Sequence, residues 1–259
     1  MNRLPAVAGS FYPANPKQLH IMIDRYLNDA DTGDKVPKAI IAPHAGYIYS
    51  GPVAASAYAR LKKAYDLITR VVLIGPSHHV AFRGMAVSRA ESFTTPLGSI
   101  PVDLAAVGTI LCLPFVEYIE QAHAYEHSLE VHLPFLQETL GNFKIVPIVA
   151  GDASAEQVSQ VINALWGGDE TLIVISSDLS HYHDYATAQR LDKATSAAIE
   201  QLHYEKLGVE SACGRIPVSG LLKVAQEKSL TIKTLDLRNS GDTAGDKSRV
   251  VGYGAYVIE

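Results

Sequence analysis

The sequence predicts an α/β fold, a mostly parallel sheet with helices on both faces. Two observations carry that expectation. Short apolar runs such as "VVLI" (Val71–Ile74) alternate with longer segments of helical periodicity, and strands covered on both faces read as continuous apolar runs. Such alternation lays strands side by side with crossover helices between them. A third observation sets the extent. The 259 residues show no internal repeat, low-complexity linker or shift in composition, so residues 1–259 are expected to form one domain.

The elements follow in order. "KAIIAPHAGY" holds a short strand that stops at Pro43, and "SGPVAASAYARLKKAY" reads as a helix rich in small residues. "RVVLIGPSHH" is a strand halted by Gly75-Pro76. "GMAVSRAESFTTPLGSIPVD" reads as a strand followed by turns, a β excursion. From Ser128, "SLEVHLPFLQETLG" puts Leu129, His132, Leu133, Leu136 and Leu140 on one helical face and closes with Gly141. Ser128 is a candidate cap for it. "FKIVPIVAGD" is a strand, and "SAEQVSQVINALWGG" a helix opened by a capping box at Ser154. "TLIVISSDLSH" is a strand, and "YATAQRLDKATSAAIEQL" a long helix. "GRIPVSGLLKVAQEK" is a helix beginning just after Cys213. "TIKTLDLR" and "SRVVGYGAYVIE" are closing strands, joined by the Gly- and Asp-rich "NSGDTAGDKS", a flexible loop or a lid over a site.

Composition narrows the function classes. A net charge of -5 without a basic run argues against nucleic-acid binding, which needs cations to replace phosphate counterions. No apolar run approaches the roughly 20 residues of a membrane span. The N-terminus lacks the apolar core of a secretory signal, and two cysteines make no disulfide framework. A cytoplasmic protein is expected.

The chemistry is signalled by a recurrence. "IIAPHAG", "VLIGPSHH" and "VISSDLSH" each run from an apolar strand into a polar loop carrying histidine: His44, His78 with His79, and His181 with His183. If the strands are parallel, all three loops lie on one sheet edge, where open α/β sheets bind ligands. Neutral imidazole is the commonest metal ligand, so a shared site is expected there. "AHAYEHSLEVHLP" adds His123, Glu126, His127 and Glu130 near a helix start, of which Glu126 and His127 could hydrogen-bond the ligands. It lacks the His-Glu-x-x-His spacing of zinc proteases. Cys213, before a helix start that favours thiolate, is a candidate ligand or nucleophile. Cys112 in "TILCLPF" reads as core filler, and His132, on an apolar face, as a core histidine. His20 and His203 read as solvated. Asp178 is placed to orient a histidine, with direct ligation as the lesser alternative.

In this order, "APHAGYIYSG", "GPSHH", "EHSLEVHLP", "SSDLSHY" and "CGRIPVSGLL" resemble the Memo family, the mediator of cell motility, from "AGSFYP" to the last strand. That family is similar in fold to the class III extradiol dioxygenases, so the resemblance implies a three-layer α/β/α sandwich with a mixed, mostly parallel sheet. It implies metal ligation by His44, His78 and Cys213 and acid/base work by His181, beside which Asp178, read from its own position, is a further catalytic candidate. It also selects His78 over His79, which spacing alone leaves open. His79, Glu126, His127, Tyr47 and His183 then fall around the metal or the substrate. Fe(II) is the implied ion, with copper or zinc as alternatives. The ring-cleaving enzymes use two histidines and a carboxylate; here a cysteine replaces the carboxylate, so catechol cleavage is not carried over. The family association also implies radical-SAM and AMMECR-type protein partners. Animal members are described as binding phosphotyrosine peptides, but no Arg cluster supports that here.

Three functions compete on this reading. One is an iron- or copper-dependent, dioxygenase-like redox enzyme acting on a small molecule, with His181 moving protons. The second is a zinc hydrolase. The third is a protein- or peptide-binding module with a vestigial or structural metal site.

Overall fold

A computed structural model describes residues 1–259. Twelve strands occur in chain order: β1 (Asn2–Arg3), β2 (Ala39–Ala42), β3 (Arg70–Pro76), β4 (Met85–Val87), β5 (Ser92–Thr95), β6 (Gly98–Pro101), β7 (Val116–Tyr118), β8 (Lys144–Ala150), β9 (Thr171–Ser176), β10 (His181–His183), β11 (Ile232–Asn239) and β12 (Val250–Ile258). The α-helices are α1 (Pro16–Asn28), α2 (Tyr47–Tyr58), α3 (Leu104–Ile110), α4 (Glu120–Ala124), α5 (His127–Glu130), α6 (Leu133–Thr139), α7 (Ala155–Ala164), α8 (Tyr185–Glu200), α9 (Arg215–Glu227) and α10 (Ser240–Thr243).

Nine strands form the main sheet, in the order β10-β12-β2-β9-β3-β8-β4-β7, with β11 also paired to β12. Its centre, β2-β9-β3-β8, is parallel. The antiparallel pairs β12–β2 and β8–β4 flank that centre. The sheet is therefore mixed around a parallel core, as expected for an α/β fold. β2 and β9 are buried at every position, which is why they read as unbroken apolar runs. Helices α1, α2 and α6 pack together over one face, and α7 packs against α9 over the other. The β excursion is real: β5 and β6 join β1 in a separate three-stranded sheet. One connected core of 68 buried residues runs through the molecule.

Local rules place several boundaries. Asn15 caps α1 by accepting from Lys17 N and Gln18 N, with Pro16 supplying the first helical residue. The Ser154–Gln157 capping box opens α7. The segment from Ser128 to Gly141 departs from expectation. It is not one helix but two short ones, α5 and α6, broken at Val131–His132 ahead of Pro134. Val131 and His132 keep right-handed helical backbone, but Pro134 has no N–H to continue the ladder, so the hydrogen bonding is interrupted there. Glu126, not Ser128, caps α5, its side chain accepting from Ser128 N. Several short or peripheral elements carried no sequence expectation: β1, α1, α3, α4, the edge strand β7, and β10, which pairs with β12 across a bulge.

Candidate metal centre

The register of the central strands builds the site. Ala42 of β2 lies beside Ser176 of β9, and β3 flanks β9 on the other side. His44, Asp178 and His78 each stand two residues past the end of their strand, at Ala42, Ser176 and Pro76. Equal offsets from adjacent parallel strands bring the three loops together at the carboxyl edge. Two glycines allow the remaining parts to close in. A Cβ on Gly214 would stand 2.4 Å from Ser176 O, and one on Gly75 would stand 2.7 Å from Ser128 Oγ. Bare backbone at these positions lets the Cys213 turn approach β9 and lets α5 approach β3.

Each imidazole is aimed by a hydrogen bond at its Nδ1. Ser176 Oγ donates to Ser128 O (2.6 Å) and so receives the His44 Nδ1 proton, at 2.6 Å. That fixes the tautomer and leaves the His44 Nε2 lone pair facing Cys213 Sγ, 3.3 Å away. His78 Nδ1 donates to Glu126 Oε1 at 2.8 Å, while His78 N donates to Glu126 Oε2 at 2.6 Å. Its Nε2 is thereby turned away from the carboxylate. The rings of His44 and His78 stand 5.1 Å apart, and His127 stacks on His78 at 4.6 Å.

Electrostatics act differently on the members of the site. Burial holds His44 well below the ordinary imidazole pKa, and its histidine neighbours push the same way. Burial, then His78, lowers His127 to about 4. For Glu126, burial acts upward, but the His78 contacts outweigh it and the carboxyl sits at about 2. Asp178 is raised to about 7 by burial, although His44 N donates to its Oδ1 at 2.8 Å. Burial, then Asp178, also raises the Cys213 thiol. The thiolate expected from the start of α9 is thus not favoured in the chain alone. An ion would supply the missing positive charge, since metal binding displaces the thiol proton.

Two donor groups have their ligand atoms within 4.8 Å of one another: His44, His78 and Cys213, and His78, Glu126 and His127. The second is already spent internally. Glu126 accepts from His78 N, His78 Nδ1 and Ser128 N. The first group has free lone pairs. Its 3.3 Å nitrogen–sulfur separation suits one ion at about 2.0–2.3 Å from each atom. The residues present therefore fit a metal.

Above the donors lies a cavity of about 590 Å³. His44, His78, His127, Asp178 and His181 form its polar wall. Burial lowers the His181 pKa, so the ring is neutral near pH 7. The "NSGDTAGDKS" loop, expected to be flexible or a lid, forms the short α10 and contributes Ser240, Gly245 and Asp246 to the cavity wall.

The Memo-like protein family model matches residues 3–257. Relatives described as MEMO1 family proteins occur in Aquifex aeolicus (38% identical, covering 97% of each chain) and Methanosarcina acetivorans (38%, covering 99% of each). A third, from Thermotoga petrophila, is 37% identical over the whole of both chains. The chain belongs to the Memo family. A solved structure of an uncharacterized Escherichia coli K12 protein shares the fold at a TM-score of 0.52 and 16% identity, covering 85% of this chain and 99% of that one.

Within this Memo-family chain, other sequence-stretch residues fall elsewhere. His79 is exposed beside His127 and does not line the cavity. His183 lies 3.7 Å from Glu210, away from the donors. Tyr47 is buried under α5, donating to Val131 O. Cys112 is exposed, not core. Its apolar neighbour Ile110 is buried, while Cys112 falls in the turn after α3 and faces solvent. His132 is indeed buried, with Nδ1 on Tyr58 Oη (2.8 Å) and Nε2 without a partner. His20 is exposed against Glu138, whereas His203 is half-buried rather than solvated.

Two supporting residues, Ser176 and Arg3, escaped the sequence reading, and Glu130 was noted there without a role. Ser176 aims His44, and it reads as an ordinary strand-end serine. Arg3 and Glu130 form a buried ion pair. Glu130 also accepts from Ala6 N, Val7 N and Tyr12 Oη, and Arg3 Nη2 donates to Glu126 O at 2.7 Å. The available signal was a glutamate inside an apolar segment, since a buried carboxylate needs partners.

Proposed function

We propose that this protein is a metal-dependent oxidoreductase acting on a small molecule, its ion held by His44 Nε2, His78 Nε2 and Cys213 Sγ. The convergence of two aimed imidazoles and a cysteine beneath an open cavity supports the reading most directly. Iron is the first candidate, and thiolate softness makes copper the second. Bound there, such an ion would supply one-electron and oxygen chemistry that side chains lack.

The chain's own groups would do the rest. Ser176 and Glu126 hold the two rings in the ligand tautomer. Asp178 holds the His44 loop through His44 N and approaches Cys213 through its own N–H, at 3.3 Å from Sγ. His181, neutral through burial and on the same cavity wall, is placed to take a proton from a bound substrate and return it. His127 walls the cavity beside His78.

Metal analysis of protein purified without added metal, paired with an oxygen-uptake screen, tests this reading. Iron or copper near one ion per chain, with uptake abolished in Cys213→Ala, is expected. Zinc with hydrolytic turnover and no uptake would replace it with a hydrolase. Protein that binds no transition metal would leave the interaction-module reading in its place.

A further inference from the structure

The cavity wall carries a feature that metal binding does not use. Arg249 is its one Lys or Arg side chain. The guanidinium rests on the Tyr182 ring, 4.7 Å from the centroid, and no carboxylate of the chain is within ion-pair distance. Asp246, on the same wall, turns Oδ1 to Ser248 N (2.7 Å) and closes its own turn. The position of Arg249 is set by the sheet. It directly precedes β12, whose Val250 and Val251 pair with His183 and His181 across a bulge. Tyr182, inside that bulge, has φ 62°. A tyrosine keeps this left-handed conformation only where its surroundings impose it. The result holds the Tyr182 ring and Arg249 together beside His181, while Phe11, Tyr49 and Tyr253 supply further aromatic wall.

We propose that the cavity takes a small planar carboxylic acid, with its ring among these aromatic side chains and its carboxylate on Arg249. The inference rests on the reading of this cavity as the mouth of the metal centre and names the substrate class. A cavity of about 590 Å³ is of small-molecule size. A guanidinium fork matches a carboxylate in a bidentate pair. An unpaired arginine over an aromatic face can turn toward an incoming anion without breaking an ion pair. A phosphate monoester is a poorer fit, because its larger charge and three oxygens call for several donors, and the wall offers one arginine.

Calorimetric titration with benzoate, benzamide and phenyl phosphate tests the inference on metal-loaded wild type, metal-free wild type, Arg249→Gln and Arg249→Lys. Benzoate and benzamide share ring and size and differ in charge. Benzoate is expected to bind metal-loaded wild type about tenfold more tightly than benzamide, as for a hydrogen bond to a charged group. Arg249→Gln should abolish the preference and Arg249→Lys should keep part of it, with metal content unchanged in both. Wild type that takes both probes equally, or neither at millimolar concentration, overturns the proposal. So does a preference that survives in Arg249→Gln but disappears with the metal, since the ion would then be the anion's partner. Tighter binding of phenyl phosphate than of benzoate overturns the choice of carboxylate. Wild type that takes up no metal on loading, yet shows an Arg249-dependent preference, would sink the metal reading and leave the anion site standing.

Discussion

His78 shows how much one residue's neighbours decide. Its backbone and ring both end on Glu126, so ring rotation is blocked and Nε2 has one direction left. His78→Ala is therefore expected to lose most bound metal, because two ligands from separate loops hold an ion poorly. His79→Ala should leave metal content unchanged, since His79 is exposed and off the cavity. His181→Ala should keep the metal and lose about two to four decades of whatever turnover is found. Metal per chain, measured on the three folded variants, checks all of this. An empty His181→Ala would make His181 a ligand and free Cys213 for another role. Glu126→Gln is the finer test. It keeps the shape but removes the charge that draws the His78 Nδ1 proton, so metal affinity should fall about 10–100-fold. A chelator competition that shows no change would mean that Glu126 only caps α5.

At the scale of elements, the site depends on a segment remote in sequence. The first residues of the chain hold α5 through the buried Arg3–Glu130 pair, and α5 follows directly on Glu126. Arg3→Leu would leave Glu130 buried at 0% exposure without its cation. Breaking such a pair costs about 3–5 kcal/mol, to be read from urea unfolding, and metal affinity should fall with it. Arg3→Leu combined with Glu130→Leu should not restore stability, because Ala6 N, Val7 N and Tyr12 Oη would lose their acceptor. A loss below about 1 kcal/mol, the range of exposed pairs, would count against this tie. The same segment marks the limit of what the sequence discloses. The loops carrying His44, the His78–His79 pair and Asp178 were legible because a local rule, strand then loop, repeats on three adjacent strands, while the choice of His78 over His79 came from the family resemblance alone. The Arg3–Glu130 tie and the pairing of β10 with β12 were not, since both depend on partners that only the tertiary fold brings near. The α5–α6 break was missed because apolar spacing and helical backbone both continue through Val131 and His132, while Pro134 has no N–H to extend the hydrogen-bond ladder.

For the whole molecule, the buried histidines set how it meets acid. His132 is lowered to about 3 by burial. His123 is lowered to about 4, again chiefly by burial, with its Nε2 on Ala86 O and its Nδ1 without a partner. Both folded values lie below the unfolded histidine value of about 6.5, so the unfolded chain takes up protons first. Their contribution to stability is whole above about pH 6.5 and is lost as pH falls toward 4 and then 3. Each unit of separation is worth about 1.4 kcal/mol per group, so these two histidines contribute a loss of several kcal/mol between pH 6.5 and 4, partly offset by Asp178, whose carboxyl is raised to about 7 and so takes up its proton first in the folded chain. Denaturant unfolding across that range measures it. His132→Phe separates this effect from packing. A somewhat larger aromatic ring replaces the imidazole and Tyr58 Oη loses its partner, offsets that do not vary with pH. Only the pH slope loses the His132 part. A His132→Phe curve parallel to wild type from pH 6.5 to 4 would show that His132 does not titrate on unfolding, and acid sensitivity would then have to come from other groups.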